Sequence, residues 1–436
     1  MASPAETAAL RPLRRRVPVD LALAAASLVV QKLPGLVAAV VLARHFAKDE
    51  IGQFFICGTL ALLAAMVTHL GTGQQLQRTA AQRPEAALAE LGRILALRLG
   101  LTALVWPALN LAVWVAAPDL LAISLLTSLY VLVGDLFFAF GAVFVGLGKL
   151  GLRLATGAIG PLLIVAATVA AVAGGADLLT VLALYLPANL IMVGAALAVL
   201  RRRVGPVRLD WEASGAVRLV RACWPFFLIE ALQLLQFKID TVMIFALVSA
   251  AAVADYEVAY KLLEVSRTLV RPAAMVFFPA CAAMAAVADW SGFRRTARWL
   301  LAVSAVLGLG LAVPVIPLAG AIVTGVWGAA YADSAPILRV LMLTLPPLYV
   351  SFAATYLAIA LHLERSLVRV LLVLILFNVG LNAAAIPAWG ALGAAGATLV
   401  TELAAAAVLT WLVLRALHAR RTGPLSAPAG LAGARP

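Results

Sequence analysis

The chain has 436 residues, of which 64% are hydrophobic and only 12% charged. A soluble globular chain carries roughly 45–50% apolar and about 25% charged residues, so a cytosolic enzyme is excluded. Disorder, which needs low hydrophobicity and high charge, is excluded as well. Lysine and arginine number 33 against 20 acids, a net charge of +13, but no basic stripe interleaved with aromatics stands outside the apolar runs, so nucleic acid is set aside as a partner.

Residues 1–18 form a polar, arginine-bearing tail. The apolar run after Pro18 continues to about Leu42, longer than the core of a signal peptide, and reads as a retained first helix. Further apolar segments follow at 51–70, 94–116, 120–147, 151–173, 178–200, 222–248, 252–286, 297–325, 334–361, 366–388 and 391–415. A span takes about 20 to 25 apolar residues. The expected fold is therefore an all-α integral membrane protein with twelve transmembrane helices. The connections are mostly short and leave no room for a folded soluble domain. The longest are 71–93 and 201–221, and the second divides the chain into six-helix halves, 19–200 and 222–415. A C-terminal tail follows at 416–436. Within 201–221, the stretch from Asp210 to Trp224 has the makings of a short surface amphipathic helix.

Loop charges support this count. The N-terminal tail holds Arg11, Arg14, Arg15 and Arg16, and the even-numbered connections are rich in arginine, from Arg78, Arg83 and Arg93 to Arg365 and Arg369. The odd connections hold only Arg44 and Lys48. By the positive-inside rule both termini and all basic loops face the cytoplasm. A faint repeat at an offset of about 202 residues, aligning Gln31 with Gln233, fits two similar halves, as in alternating-access transporters.

Ionisable residues inside spans are the main functional pointer. In the eighth segment Glu257, Tyr260, Lys261, Glu264, Thr268 and Arg271 fall within roughly 100° of arc, with Arg267 beside them. Such a stripe must face protein or a wet cavity, because three charges in lipid would cost roughly 8–10 kcal/mol. Glu257–Lys261 and Lys261–Glu264 have the spacing to pair on one helix, whereas Arg271 has no acid suitably placed on its own helix. In the seventh segment Glu230, Gln233, Phe237, Asp240 and Thr241 share a face, and Lys238 is expected to point elsewhere and snorkel outward. Gln31, Lys32, Arg98, Asp135 and Glu402 complete the intramembrane set. Asp135 and Glu402, alone in their segments, fit a structural partner as well as a ligand.

Cys57, Cys223 and Cys281 are scattered through apolar runs and read as small buried hydrophobes rather than a disulfide or metal site. There is no HExxH, GxxxxGK[ST] or GxSxG, so ATP-driven and classical hydrolytic machinery lack their usual residues. The chain reads as a non-enzyme without a cofactor or metal.

The stretch 377–402, FNVGLNAAAIPAWGALGAAGATLVTE, carries Asn378, Leu381, Asn382, Ile386, Pro387, Gly390, Gly393, Ala394, Ala395, Thr398 and Glu402 in a distinctive order. Together with Lys238-Ile239-Asp240, Phe278-Pro279-Ala280, the run from Tyr331 to Leu341 and Ile51-Gly52-Gln53-Phe54, it resembles the polysaccharide-transporter (O-antigen flippase) family of the multidrug/oligosaccharidyl-lipid/polysaccharide exporter superfamily. The resemblance runs from about Pro18 to His418. It departs at His69-Leu70-Gly71, where the family often shows Asp-x-Gly, and at Ala254, where glycine is frequent.

The resemblance implies two six-helix lobes around a cavity that opens to alternate sides of a bacterial cytoplasmic membrane. It also implies a polyprenyl-diphosphate-linked oligosaccharide as substrate, and a monomer, with a glycan polymerase and export machinery as possible partners beside the lipid bilayer. On that reading Lys32, Arg98, Lys261, Arg267 and Arg271 hold the diphosphate. Gln31, Gln233, Tyr260, Asn378 and Asn382 meet sugar hydroxyls. Asp135, Glu230, Asp240, Glu264 and Glu402 are coupling or structural acids, and Glu230, Asp240 and Glu264 are the candidates for carrying a coupling proton or sodium ion. Membrane potential is the other energy source. A multidrug/cation antiporter and a lipid II flippase are the alternatives within the superfamily.

Overall fold

The computed structural model describes residues 33–210, 213–268 and 281–422, and these are helical nearly throughout. In order the helices are α1 (Leu33–His45), α2 (Lys48–His69), α3 (Thr72–Gln82), α4 (Ala87–Ala116), α5 (Leu121–Gly146), α6 (Leu150–Gly157), α7 (Ile159–Ala173), α8 (Leu178–Arg203), α9 (Ala213–Leu247), α10 (Ala250–Thr268), α11 (281–286), α12 (Trp290–Trp327), α13 (Ser334–Leu343), α14 (Leu345–Ala360) and α15 (Glu364–Thr422). Among the described residues, eight helical stretches are long and apolar enough to cross a membrane.

Several expected segments are subdivided. The fifth breaks at Ala158 into α6 and α7, and the tenth breaks at Thr344, where Pro346 and Pro347 open α14. Proline suits the first helical turn, whose N–H groups have no intrahelical acceptor. The connection expected over 71–93 contains a helix, α3. Leu70 (φ 48°) and Gly71 (φ 64°), both left-handed, turn the chain from α2 into it. A separate surface helix over 210–224 is not found: from Ala213 the chain runs straight into α9.

Helix α15 has 59 residues, about 88 Å if straight, which is nearly three times the ~30 Å hydrocarbon core. It is broken at Gly390 (φ 57°, ψ −139°), just after Pro387. Pro387 supplies no N–H to the preceding turn, and Gly390 takes a backbone geometry that side chains disfavour.

The described residues pack into two compact units. Of the described residues, the first comprises 33–262, 319–338 and 379–395, and the second 263–318, 339–378 and 396–422. The core of the first is built on Leu76, Leu91, Ile94, Phe137, Phe140, Phe144 and Leu200. In this unit α9 packs against α2, α3 and α4, so elements on both sides of the 201–221 linker meet there. The second has its core at Phe293, Leu300, Leu357, Leu361, Val413 and Leu417.

Candidate functional site

Within the first unit, α9 and α10 are joined by buried polar groups. The Glu257 carboxylate, 1% exposed, accepts a hydrogen bond from Lys238 Nζ at 2.8 Å and one from Thr241 Oγ at 2.6 Å, both on Oε1. Lys238 and Thr241 are three residues apart and therefore neighbours on one helix face. The ammonium of Lys238 also lies 5.3 Å from the centre of the Tyr260 ring, which stacks on Tyr256. Next to Thr241 in sequence, Asp240 accepts Tyr256 Oη at 2.7 Å and Asn382 Nδ2 at 2.6 Å. Lys238 thus does not snorkel outward. A charged partner on the neighbouring helix outweighs a route to the surface.

This polar seam opens on a cavity of about 270 Å³. Lys238, Glu257 and Lys261 form one wall, and Phe54, Phe55, Tyr130 and Tyr185 dominate the rest with small residues of α1. The Lys261 ammonium lies 5.9 Å from the centre of the Phe55 ring, within reach of a cation–π attraction. Among the described lining residues, two cations and one carboxylate stand in a chamber that is mostly apolar and aromatic. A second cavity of about 320 Å³ shares Leu62, Tyr130, Val131 and Ile164 with the first and extends to Asp135 and Asn189.

Another polar group lies among α2, α3, α4, α5 and α9. Arg98, 1% exposed, donates to Thr72 Oγ at 2.7 and 3.0 Å and to Asp135 Oδ2 and carbonyl oxygen, both at 3.2 Å. Gln74 donates to Glu230, and His69 Nδ1 is 3.4 Å from the same carboxylate.

A family model described as a polysaccharide biosynthesis protein matches residues 20–285. The chain belongs to that family. Solved structures agree on the fold. An inward-facing multidrug resistance MATE transporter of the MOP superfamily superposes with a TM-score of 0.69 at 16% identity, covering 91% of this chain and 96% of its own. The lipid II flippase MurJ in an inward closed conformation gives 0.69 at 13% identity, covering 91% and 89%. A MOP superfamily transporter from Pyrococcus furiosus gives 0.63 at 15%, covering 91% and 94%. The sequence matches none of the curated proteins with which it was compared.

In this member of the polysaccharide biosynthesis family, the expected site residues do not form a single cluster. Lys261 lines the first cavity, and Tyr260 stands buried behind it. Arg98 is held by Thr72 and Asp135 inside the helix packing and is not among the described residues that line the first cavity. Asn378 and Asn382 are likewise buried. Asn378 donates to Thr401 at 3.2 Å and Asn382 to Asp240, so their amides join helical segments. Glu402 accepts Ser351 Oγ at 3.2 Å. Gln233 is exposed, and Glu264 and Arg267 are half-buried, both in the second unit. Gln31, Lys32 and Arg271 lie outside the described residues.

Lys238, Thr72 and His69 are the polar contacts that sequence reasoning missed. The Lys238–Thr241 spacing was a usable signal, once both are read as facing an acid on the next helix. His69 stands where the family pattern often has aspartate, and the acid here is Glu230, reached from α9.

Proposed function

We propose that this protein is a flippase that moves a polyprenyl-diphosphate-linked oligosaccharide from the inner to the outer leaflet of a bacterial cytoplasmic membrane by alternating access. The observation that carries this reading is the pair Lys238 and Lys261 with the carboxylate of Glu257, among the described lining residues of a chamber that is mostly apolar and aromatic. An excess of cations suits an anionic headgroup, and aromatic faces suit the apolar faces of sugar rings. Family membership supports a glycan substrate. The prenyl tail stays in lipid.

The same reading takes the chain as twelve spans in two six-helix lobes, working as a monomer, with both termini and the arginine-rich loops cytoplasmic. An inside-negative potential favours outward movement of an anion by about 2.3 kcal/mol per charge per 100 mV, so ATP is not needed. The test is transfer of a labelled lipid-linked glycan across vesicles containing the full chain. Lys261→Ala should slow it at least tenfold at equal protein level, and collapse of the potential should slow the wild type. An unchanged rate in Lys261→Ala removes the lysine from the mechanism. Uptake of a cationic dye in place of the glycan lipid would favour an antiporter.

A further inference from the structure

The geometry points to Glu257 as a built-in rival of the anionic headgroup, which must take Lys238 from this carboxylate in order to bind, and which the carboxylate helps to expel when it takes the lysine back. The inference rests on the headgroup reading above and adds a role that no cation in the cavity can supply.

Two hydrogen bonds to Glu257 converge on Oε1, from Lys238 at 2.8 Å and Thr241 at 2.6 Å, on the cavity wall itself. Charge-assisted bonds of this length are strong, and a low-dielectric surrounding strengthens them. A carboxylate and a phosphate oxygen present the same feature to an ammonium: a compact anionic acceptor. Lys238 is suited to the exchange. Its head is a point charge on a flexible stem with no plane to satisfy, and its side chain is 12% exposed at the edge of the chamber. Arg98 provides the contrast, being pinned from two sides by Thr72 and Asp135.

The exchange also conserves buried charge balance. When Lys238 turns to a phosphate, Glu257 keeps Thr241 and remains in the electrostatic field of Lys261. No buried ion is stranded at any point, which is the condition for a cheap swap between partners. A transporter gains nothing by holding its cargo too well, because tight binding that is uniform along the path slows release. A carboxylate that competes for one of two lysines sets that balance.

The test uses the full chain in lipid nanodiscs, with a polyprenyl diphosphate as ligand and the neutral polyprenol as control. Glu257→Gln removes the rival charge and should tighten polyprenyl diphosphate binding by about tenfold or more, the scale of one charge-assisted hydrogen bond. It should also enlarge the ligand-induced rise in Tm and slow transfer of the labelled glycan lipid in vesicles. Polyprenol binding should not change. In a Lys238→Ala background the same substitution should no longer tighten binding. If Glu257→Gln does not fold, Glu257→Asp, whose carboxylate is withdrawn by one methylene, should give an intermediate tightening. Wild-type binding that Glu257→Gln leaves equal or weakens would mean that the carboxylate merely positions Lys238, and the rivalry is overturned while the headgroup reading stands. Failure of both wild type and variant to bind the diphosphate would overturn both.

Discussion

Gly393 stands against the backbone of Ala385: a Cβ at Gly393 would overlap the Ala385 carbonyl and lie 3.2 Å from the Ile386 nitrogen. The chain therefore doubles back on itself around Gly390, and the Ile386-Pro387-x-x-Gly390-x-x-Gly393 pattern is the chemistry of a tight reversal. Proline ends one helix, one glycine takes a positive φ, and the other lets the returning helix close in. Gly393→Ala should destabilise the protein by about 1–3 kcal/mol through overpacking. Gly390→Ala should cost a similar ~1–3 kcal/mol through backbone strain at φ 57°. Thermal unfolding in detergent measures both, and a wild-type Tm for Gly393→Ala would show that the approach relaxes freely.

The position of this reversal was legible in the sequence, since a proline and a glycine between two apolar runs mark a break whatever surrounds them. Run length likewise placed most helices to within a few residues. What hydropathy could not show was α3, because TGQQLQRTAAQ buries Thr72, Leu76, Thr79 and Ala80. The spacing is helical, but three of the four are small or hydroxylated and register as loop. Nor could it show the partner of Lys238. Glu257 is 19 residues away across a helix–helix connection, and spacing rules reach only one or two turns. The asparagines of the 377–402 stretch stood out by sequence order: Asn378 ties the two arms of the broken α15 together through Thr401, and Asn382 ties α15 to Asp240 of α9. The family match, over residues 20–285, does not include that stretch.

Arg98 is the second test. Truncation to alanine would leave Asp135 facing a buried gap and Thr72 without its donor. Removing one partner of a buried ion pair typically costs about 3–5 kcal/mol, so Arg98→Ala should express poorly. Lysine at this position offers no planar fork for Thr72 and Asp135 together and should restore only part of the loss. The double variant Arg98→Ala, Asp135→Ala should be less destabilised than the sum of the single ones. Additive losses in unfolding experiments would mean that the two residues act independently.

Lys48 and Arg44 are the only basic residues in the odd-numbered connections, and both are bound. Lys48 Nζ lies 2.7 Å from Asp255, which also accepts Ser334 Oγ at 2.8 Å. Arg44 donates to the carbonyls of Gly325 and Val326 at the C-terminal end of α12, where a cation meets the negative end of the helix dipole. The Lys48 and Asp255 side chains are only 24% and 13% exposed, so their coupling energy should exceed the ~1 kcal/mol of a surface pair and should weaken only slightly with salt. A Lys48→Ala, Asp255→Ala double-mutant cycle, run at low and high ionic strength, measures it. A coupling below ~1 kcal/mol that vanishes at high salt would contradict the shielded setting.

Two carboxylates outside the spans make stability depend on pH. Asp177 caps α8, and the Thr180 hydroxyl, with the Thr180 N–H at 3.3 Å, holds its carboxyl below the usual carboxylate range. Asp289, ahead of α12, is held low by the Gly292 N–H at 2.9 Å and by the Ser291 hydroxyl at 2.9 Å. A carboxyl whose pKa is lower in the folded than in the unfolded chain stabilises the fold at pH above its unfolded pKa of about 4. That contribution falls away as pH drops through the unfolded and then the folded value, because the protonated group no longer serves the N–H donors as an anion. Asp177→Ala and Asp289→Ala should therefore lower Tm at pH 7, and the gap to wild type should narrow steadily below pH 4. A gap that stayed constant down to pH 2 would mean that the caps act by packing or backbone geometry and not through their charge.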